Sequence, residues 1–187
     1  MYDKMQDKLR VAFQSAHRLA VASGESKLDT RSVLLGLVAA GENTIAARAL
    51  KEVGLWATIV AEAACVMEKG GSEVPIGVPL CQTETVREMM DLAVVRSLDL
   101  NHHYIGTEHV LLGLIDTDRF LQEVLRKTGK SGEAIWQAIQ TILGIDVNTD
   151  EDYKNHRIAI EGMLGQCDDA KTGVKAVFAY LRSKMPP

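Results

Sequence analysis

Apolar positions in the first 145 residues recur at helical spacing. Leu9, Ala12, Phe13, Ala16 and Ala20 fall on one helix face, and Val86, Met89, Met90 and Ala93 fall on another. Four prolines occur, two in a central segment and two at the very end, which leaves nearly every other stretch free to be helical. Strand-like alternation is absent. The pattern predicts an all-α chain.

The two helices are related by a constant offset, because 86 − 9, 89 − 12, 90 − 13 and 93 − 16 all equal 77. The same offset carries "VLLGL" at Val33–Leu37 onto an identical "VLLGL" at Val110–Leu114, and Thr30 onto Thr107. Further on it drops to 75, mapping Ile45, Ala46, Ala49, Leu50 and Gly54 onto Phe120, Leu121, Val124, Leu125 and Gly129, as a two-residue deletion in the intervening loop would produce. A last helix, from Leu55 to about Lys69, matches Ala134, Ile135, Ala138 and Ile142. The chain therefore reads as a tandem, pseudo-twofold repeat of a four-helix unit: eight helices, with repeats at about residues 3–69 and 82–144 and a linker "GGSEVPIGVPLC" at 70–81. One such unit is marginal alone, so the two are expected to share a single core. Gly36 and Gly113 occupy equivalent mid-helix positions, where each costs about 1 kcal/mol relative to Ala, and this implies a neighbouring helix too close for a Cβ. Residues 145–187 form a C-terminal extension with an acidic stretch and about two helices. One runs from about Asp150 to Leu164, and the other carries Val174, Val177, Phe178 and Leu181. The extension either packs on the repeats or offers its apolar stripe to a partner.

The stretch "NHHYIGTEHVLLGLI", Asn101 to Ile115, is where chemistry would be sought. Thr107 is placed as a helix N-cap, Glu108 sits in the first turn where the helix dipole favours a negative charge, and Val110, Leu111, Leu114 and Ile115 form the apolar face. A carboxylate at Glu108 could accept a guanidinium while the adjacent helix N-terminus held an anion, or it could simply complement the dipole. Thr107, Glu108 and His109 are the candidate ligand-binding residues. His102, His103 and His109 invite a metal, but their spacing is poor, H-E-x-x-H is absent and no Cys or acidic cluster completes a set, so no metal is expected.

Catalysis finds no support. Cys65, Cys81 and Cys167 suit neither a disulfide framework nor a zinc site and read as reduced thiols. There is no G-x-S-x-G elbow and no Ser-x-x-Lys, and "KTG" at Lys171–Gly173 lacks its companions. Neither a phosphate-binding P-loop nor G-x-G-x-x-G occurs, so no cofactor and no ATP hydrolysis are expected. With 21 Lys plus Arg against 25 Asp plus Glu, the net charge of -4 lacks the basic footprint of a nucleic-acid binder. Apolar runs such as "VLLGLVAA" fall well short of the roughly 20 residues that span a bilayer, and the first ten residues lack the apolar centre of a signal peptide. A cytoplasmic location, with no membrane, is the expectation.

The repeated unit, above all "YIGTEHVLLGLI" at Tyr104–Ile115, resembles the Clp N-terminal repeat domain; "LDTRSVLLGL" in the first repeat is a looser match. The resemblance covers about residues 3–144. That domain stands at the front of Clp-family AAA+ unfoldases of the ClpC and ClpA kind and occurs in stand-alone proteins of the plastid ClpT type. The resemblance implies a non-enzymatic protein-binding module, an adaptor or accessory subunit whose partners are a Clp AAA+ unfoldase, a Clp protease core or their substrates. In Gram-positive ClpC the domain binds phosphoarginine-marked proteins, with the Glu of "GTEH" in each repeat meeting the guanidinium. That Glu corresponds to Glu108, while the first repeat carries Arg31, which reverses the charge. The alternative implied is a peptide- or phosphoarginine-binding module acting outside the Clp system. Residues 145–187 are too few for an ATPase ring module.

Overall fold

The helical spacing resolves into eight helices in a computed structural model that describes residues 5–69 and 80–145. They are α1 (Asp7–Ala22), α2 (Thr30–Ala39), α3 (Ile45–Glu52), α4 (Trp56–Lys69), α5 (Glu84–Asp99), α6 (Thr107–Thr117), α7 (Arg119–Thr128) and α8 (Gly132–Leu143). The chain divides into two compact units, residues 1–145 and 146–187. The two helices expected in the C-terminal extension lie outside the described residues.

Short polar side chains start most of these helices by accepting a backbone N–H that has no intrahelical partner. Asp29 accepts from Ser32, Thr44 from Ala47, Thr83 from Val86, Asp118 from Leu121 and Ser131 from Ala134, at 2.7–3.3 Å. α7 and α8 end on Gly129 and Gly144, which take the left-handed conformation that an L side chain resists. α2 and α6 form the centre: Val33–Val38 and Thr107–Leu114 are buried without a break. α1 lies along α2 and α5 along α6. Both contacts run over a glycine. A Cβ on Gly36 would lie 2.7 Å from the Cβ of Ala16, and one on Gly113 would lie 2.6 Å from the Met89 carbonyl oxygen. Ala16 and Ala93, and Ala12 and Met89, are again 77 apart, so the repeat holds at the level of single contacts. Gly113→Ala adds a good helix former, worth about 1 kcal/mol, yet forces α5 off its seat. The expected net result is a loss of about 2 kcal/mol, read as a lower urea midpoint at unchanged slope.

Two short parallel pairings modify the all-α expectation. β1 (Lys27–Leu28) pairs with β2 (Cys81–Gln82), and Met5 forms a single bridge with Ile105. These are one feature seen twice. Thr83 donates to the Leu28 carbonyl at 3.0 Å, and Gln6 donates to the Ile105 carbonyl at 3.1 Å; 83 − 6 and 105 − 28 both equal 77. The segment entering the first helix of each repeat therefore pairs with the segment entering the second helix of the other. Cys81, assigned to the linker on composition, belongs to this pairing. Two-residue strands have no alternation to detect.

The second link between repeats is also reciprocal. The Thr30 hydroxyl donates to Asp118 Oδ2 at 2.9 Å, and the Ala46 N–H donates to the Thr107 hydroxyl oxygen at 3.4 Å. Each central helix thus begins by holding the start of the other repeat's third helix. One hydrophobic core runs through both repeats, from Leu9 and Leu34 to Leu111 and Ile139.

Candidate functional site

The chain leaves α5 through Asn101, which takes φ 53, a left-handed conformation that Asn tolerates better than other non-glycine residues. The His102 N–H donates to the Ser97 carbonyl at 2.7 Å, closing the helix end. Ile105 then bridges Met5, and α6 starts with Gly106 as its N-cap. Thr107 is thus the first helical residue and not the cap. The reason is local: the Gly106 N–H is taken by the His109 ring, while the Thr107 hydroxyl is engaged with Ala46 and donates to Glu108 Oε2 at 3.4 Å. Gly106 is required because the Glu108 carboxyl folds back over it, leaving its Cδ 2.6 Å from where a Cβ would stand.

The candidate residues Thr107, Glu108 and His109 come together, and all three are buried, at 2%, 0% and 0% exposure. The imidazole of His109 sets the chemistry. Its Nδ1 accepts from the Gly106 N–H at 2.8 Å, so in the neutral ring Nε2 carries the proton and donates to His102 Nδ1 at 3.0 Å. This tautomer is inferred from the hydrogen bonds. His102 stacks on Tyr104 with ring centroids 4.7 Å apart, and both rings meet His109 edge-on at 5.1 and 5.8 Å. His103, next in sequence, is exposed.

Burial drives the titration of the cluster. It pushes Glu108 up from the usual carboxylate range, against its own backbone N–H and the Thr107 hydroxyl, which favour the charged form. It pulls His109 down to about 3, helped by His102. His102 is lowered by burial and by His103. Both rings are therefore neutral near pH 7, and Glu108 Oε1, 3.6 Å from His109 Nδ1 and 3.9 Å from His102 Nδ1, forms no ion pair and no hydrogen bond among the described residues.

One ligand atom each from His102, Glu108 and His109 falls within 4.8 Å of the others, which is metal-like spacing that the sequence pattern did not reveal. The hydrogen bonds oppose that use. A metal at His109 Nε2 would move the proton to Nδ1, facing the Gly106 N–H and breaking the bond that starts α6. The guanidinium reading meets a different obstacle, since a carboxylate with no exposed surface cannot reach a partner until the rings move aside. Of the residues that hold this cluster, sequence reasoning missed Gly106 and Tyr104. The offset of 77 was the available signal for the first, because it places Gly106 opposite Asp29, the N-cap of α2.

In the first repeat, Arg31 occupies the position of Glu108. Its guanidinium pairs with Glu62 on α4 and lies 5.1 Å from the centroid of the Phe120 ring on α7.

Comparison with known proteins places these features in a family context. Residues 82–159 match the model of the Clp repeat (R) N-terminal domain. The chain is 30% identical over 190 residues to the ATP-dependent Clp protease ATP-binding subunit ClpA homolog of Cyanidium caldarium, a match covering 100% of this chain and 19% of that protein. It is 29% identical over 145 residues to the negative regulator of genetic competence ClpC/MecB of Bacillus subtilis, covering 77% of this chain and 18% of that one. The chain thus spans about a fifth of the length of these relatives. Among solved structures, the N-terminal domain of ClpD from Arabidopsis thaliana superposes with a TM-score of 0.58 at 19% identity, over 77% of this chain and 97% of that one. The Hsp104 N-terminal domain from Candida albicans does so with 0.61 at 15%, over 76% and 93%. At those identities the two structures support the fold alone.

Proposed function

Because residues 82–159 belong to the Clp repeat N-terminal domain family, we propose that the chain is a non-enzymatic docking module of a Clp AAA+ chaperone or protease system. It acts as an adaptor or accessory subunit that binds a Clp unfoldase, a Clp protease core or a substrate delivered to them. The observation that carries this reading is the family match on the second repeat. The geometry supports it from another side: among the described residues, the His102, Glu108 and His109 constellation is folded inward, and its His109 ring is engaged in holding the start of α6. Energy for any unfolding step would come from the partner. Among the described residues no helix is long and apolar enough to cross a membrane.

A peptide- or phosphoarginine-binding role anchored at Glu108 is less favoured, because that carboxylate is wholly buried and its counterpart is Arg31. The Clp docking role is tested by using the full chain as bait in a soluble extract of the native cells. Enrichment of a Clp unfoldase or protease-core subunit over a scrambled-surface control is expected. Its repeated absence, with the bait shown to be folded, refutes the assignment.

A further inference from the structure

The two repeats differ most at the start of their second helices. Adding 77 carries Glu25, Arg31 and Ser32 onto His102, Glu108 and His109. In the first repeat the space beside Arg31 stands open as a cleft of about 280 Å³ between the end of α1, the start of α2 and α4. In the second, stacked rings and a folded carboxyl fill the start of α6, and they leave one atom without a partner. Glu108 Oε1 is fully buried and accepts no hydrogen bond among the described residues. A buried carboxyl oxygen without a donor is destabilising, and here a donor is one short movement away.

His102 Nδ1 stands between two partners, 3.0 Å from His109 Nε2 and 3.9 Å from Glu108 Oε1. With the ring neutral, Nδ1 is an acceptor and takes the His109 Nε2–H. Turning toward Oε1 would then set two acceptors face to face and strand the His109 proton, so the ring stays where it is. One added proton reverses the preference. On His102 Nδ1 it faces the His109 Nε2–H, donor against donor, while Oε1 offers an unpartnered acceptor about 1 Å beyond hydrogen-bond reach. On Glu108 it makes Oε1 the donor and Nδ1 the acceptor of the same bond. Either way the proton belongs to the pair and not to one residue.

Groups on the surrounding elements leave that proton to His102 and Glu108. At the end of α5, Arg96 and Asp99 pair with each other at 3.1 Å. His103 is exposed, and its charge opposes charge on His102. The segment leading into α1 brings the uncharged Met5 and Gln6. That segment is also where the movement is felt. His102 stacks on Tyr104, whose hydroxyl is hydrogen-bonded to the Gln6 side chain. The Gln6 N–H in turn donates to the Ile105 carbonyl at 3.1 Å, inside the crossed pairing of the two repeats.

We propose that His102 and Glu108 form a proton-operated latch: on taking up one proton the ring leaves His109 for the Glu108 carboxyl, and the contact of Tyr104 with Gln6 carries that movement into the pairing between the repeats. Burial supports the exchange, because in the resting arrangement it disfavours charge on both groups, lowering His102 and raising Glu108, and one shared proton relieves both. At the matching position of the first repeat Arg31 is a permanent cation, so the device belongs to the second repeat. It is a property of the chain alone and stands apart from the docking role proposed above.

The test is an NMR titration of the full chain from pH 8 to pH 5, above the range near 3 in which His109 takes up its proton. It follows the imidazole nitrogens, the Glu108 carboxyl carbon and the backbone amides. The expected result is one common midpoint for the His102 ring, the Glu108 carboxyl and the amides of Tyr104 and Gln6. Glu108→Gln should lower the His102 midpoint by about 1 pH unit, a tenfold change in proton affinity, and Gln6 should no longer follow. Tyr104→Phe keeps the ring stack but removes the hydroxyl, so it should leave the His102 midpoint in place and uncouple Gln6 alone. The proposal is overturned if neither His102 nor Glu108 changes above pH 5, or if His102 titrates with Gln6 unmoved. It is equally overturned if the midpoint survives Glu108→Gln unchanged, or if Gln6 still follows in Tyr104→Phe.

Discussion

Residues 80–145 produced without the first repeat are expected to show no cooperative unfolding transition, although they contain four complete helices and most of the segment that matches the family model. The missing half contributes structure as well as area. Ile105 loses Met5, Asp118 loses the Thr30 hydroxyl, and Thr107 loses the Ala46 N–H. α8 loses α3, which packs on it across the repeat boundary, and α6 loses α2. Leu111, Leu112 and Leu114 are each buried to 2% exposure or less in the whole unit because α6 is surrounded. Exposing even two or three such side chains costs about 1.5–3 kcal/mol apiece, which is comparable with the roughly 5–15 kcal/mol that holds a whole domain together. Far-UV circular dichroism should therefore report a largely unfolded fragment, and mixing it with residues 1–79 should restore helicity. A fragment that unfolds cooperatively alone, with the helix content of the intact unit, would show that the crossed pairings are ornamental.

What the sequence discloses about this fold depends on how far each signal extends along the chain. The helices of the repeats carry their apolar stripes over eight or more residues, so period and offset are readable, and a glycine recurring at Gly36 and Gly113 announces a close crossing. The crossed pairings of Met5 with Ile105 and Leu28 with Gln82 occupy one or two residues each. No periodicity exists at that length, and the pairings depend on the fold bringing the two lead segments side by side. The site was legible as a position but not as an environment. A Thr-Glu-His run at a helix start looks solvent-facing, because Glu is among the residues least often buried, and nothing in the spacing says that His102 and Tyr104 will roof it. The charge reversal at Arg31 was visible directly. Its consequence, an open cleft in one repeat and a filled one in the other, needed the side chains.

Acid is expected to unfold the repeat domain through His109 while Glu108 pulls in the opposite sense. The folded pKa of His109 lies at about 3, below the 6.5 of an unfolded histidine. Between those values the unfolded chain takes up a proton that the folded chain refuses, so the stability owed to the neutral ring is complete above pH 6.5 and is lost as pH falls toward 3. Over the whole span that is on the order of 5 kcal/mol. Glu108 is raised, so the folded chain binds its proton more tightly than the unfolded chain does. Its favourable contribution is present below the unfolded value of 4.5 and disappears as pH rises through the folded value, above which the buried, poorly paired carboxyl carries its charge. Urea midpoints measured from pH 4 to pH 8 separate the two. Glu108→Gln should be more stable than the parent at pH 8, and that advantage should vanish toward pH 4. His109→Gln keeps an acceptor three residues into α6 for the Gly106 N–H but cannot take up the ring's proton, so its midpoint should fall less steeply than the parent's below pH 6.5. Parallel curves for parent and His109→Gln down to pH 4 would mean that the imidazole opens to water before it titrates. The same opening would free Glu108 Oε1 to meet a ligand, so one pH series also reports whether the buried cluster can ever act as a binding site.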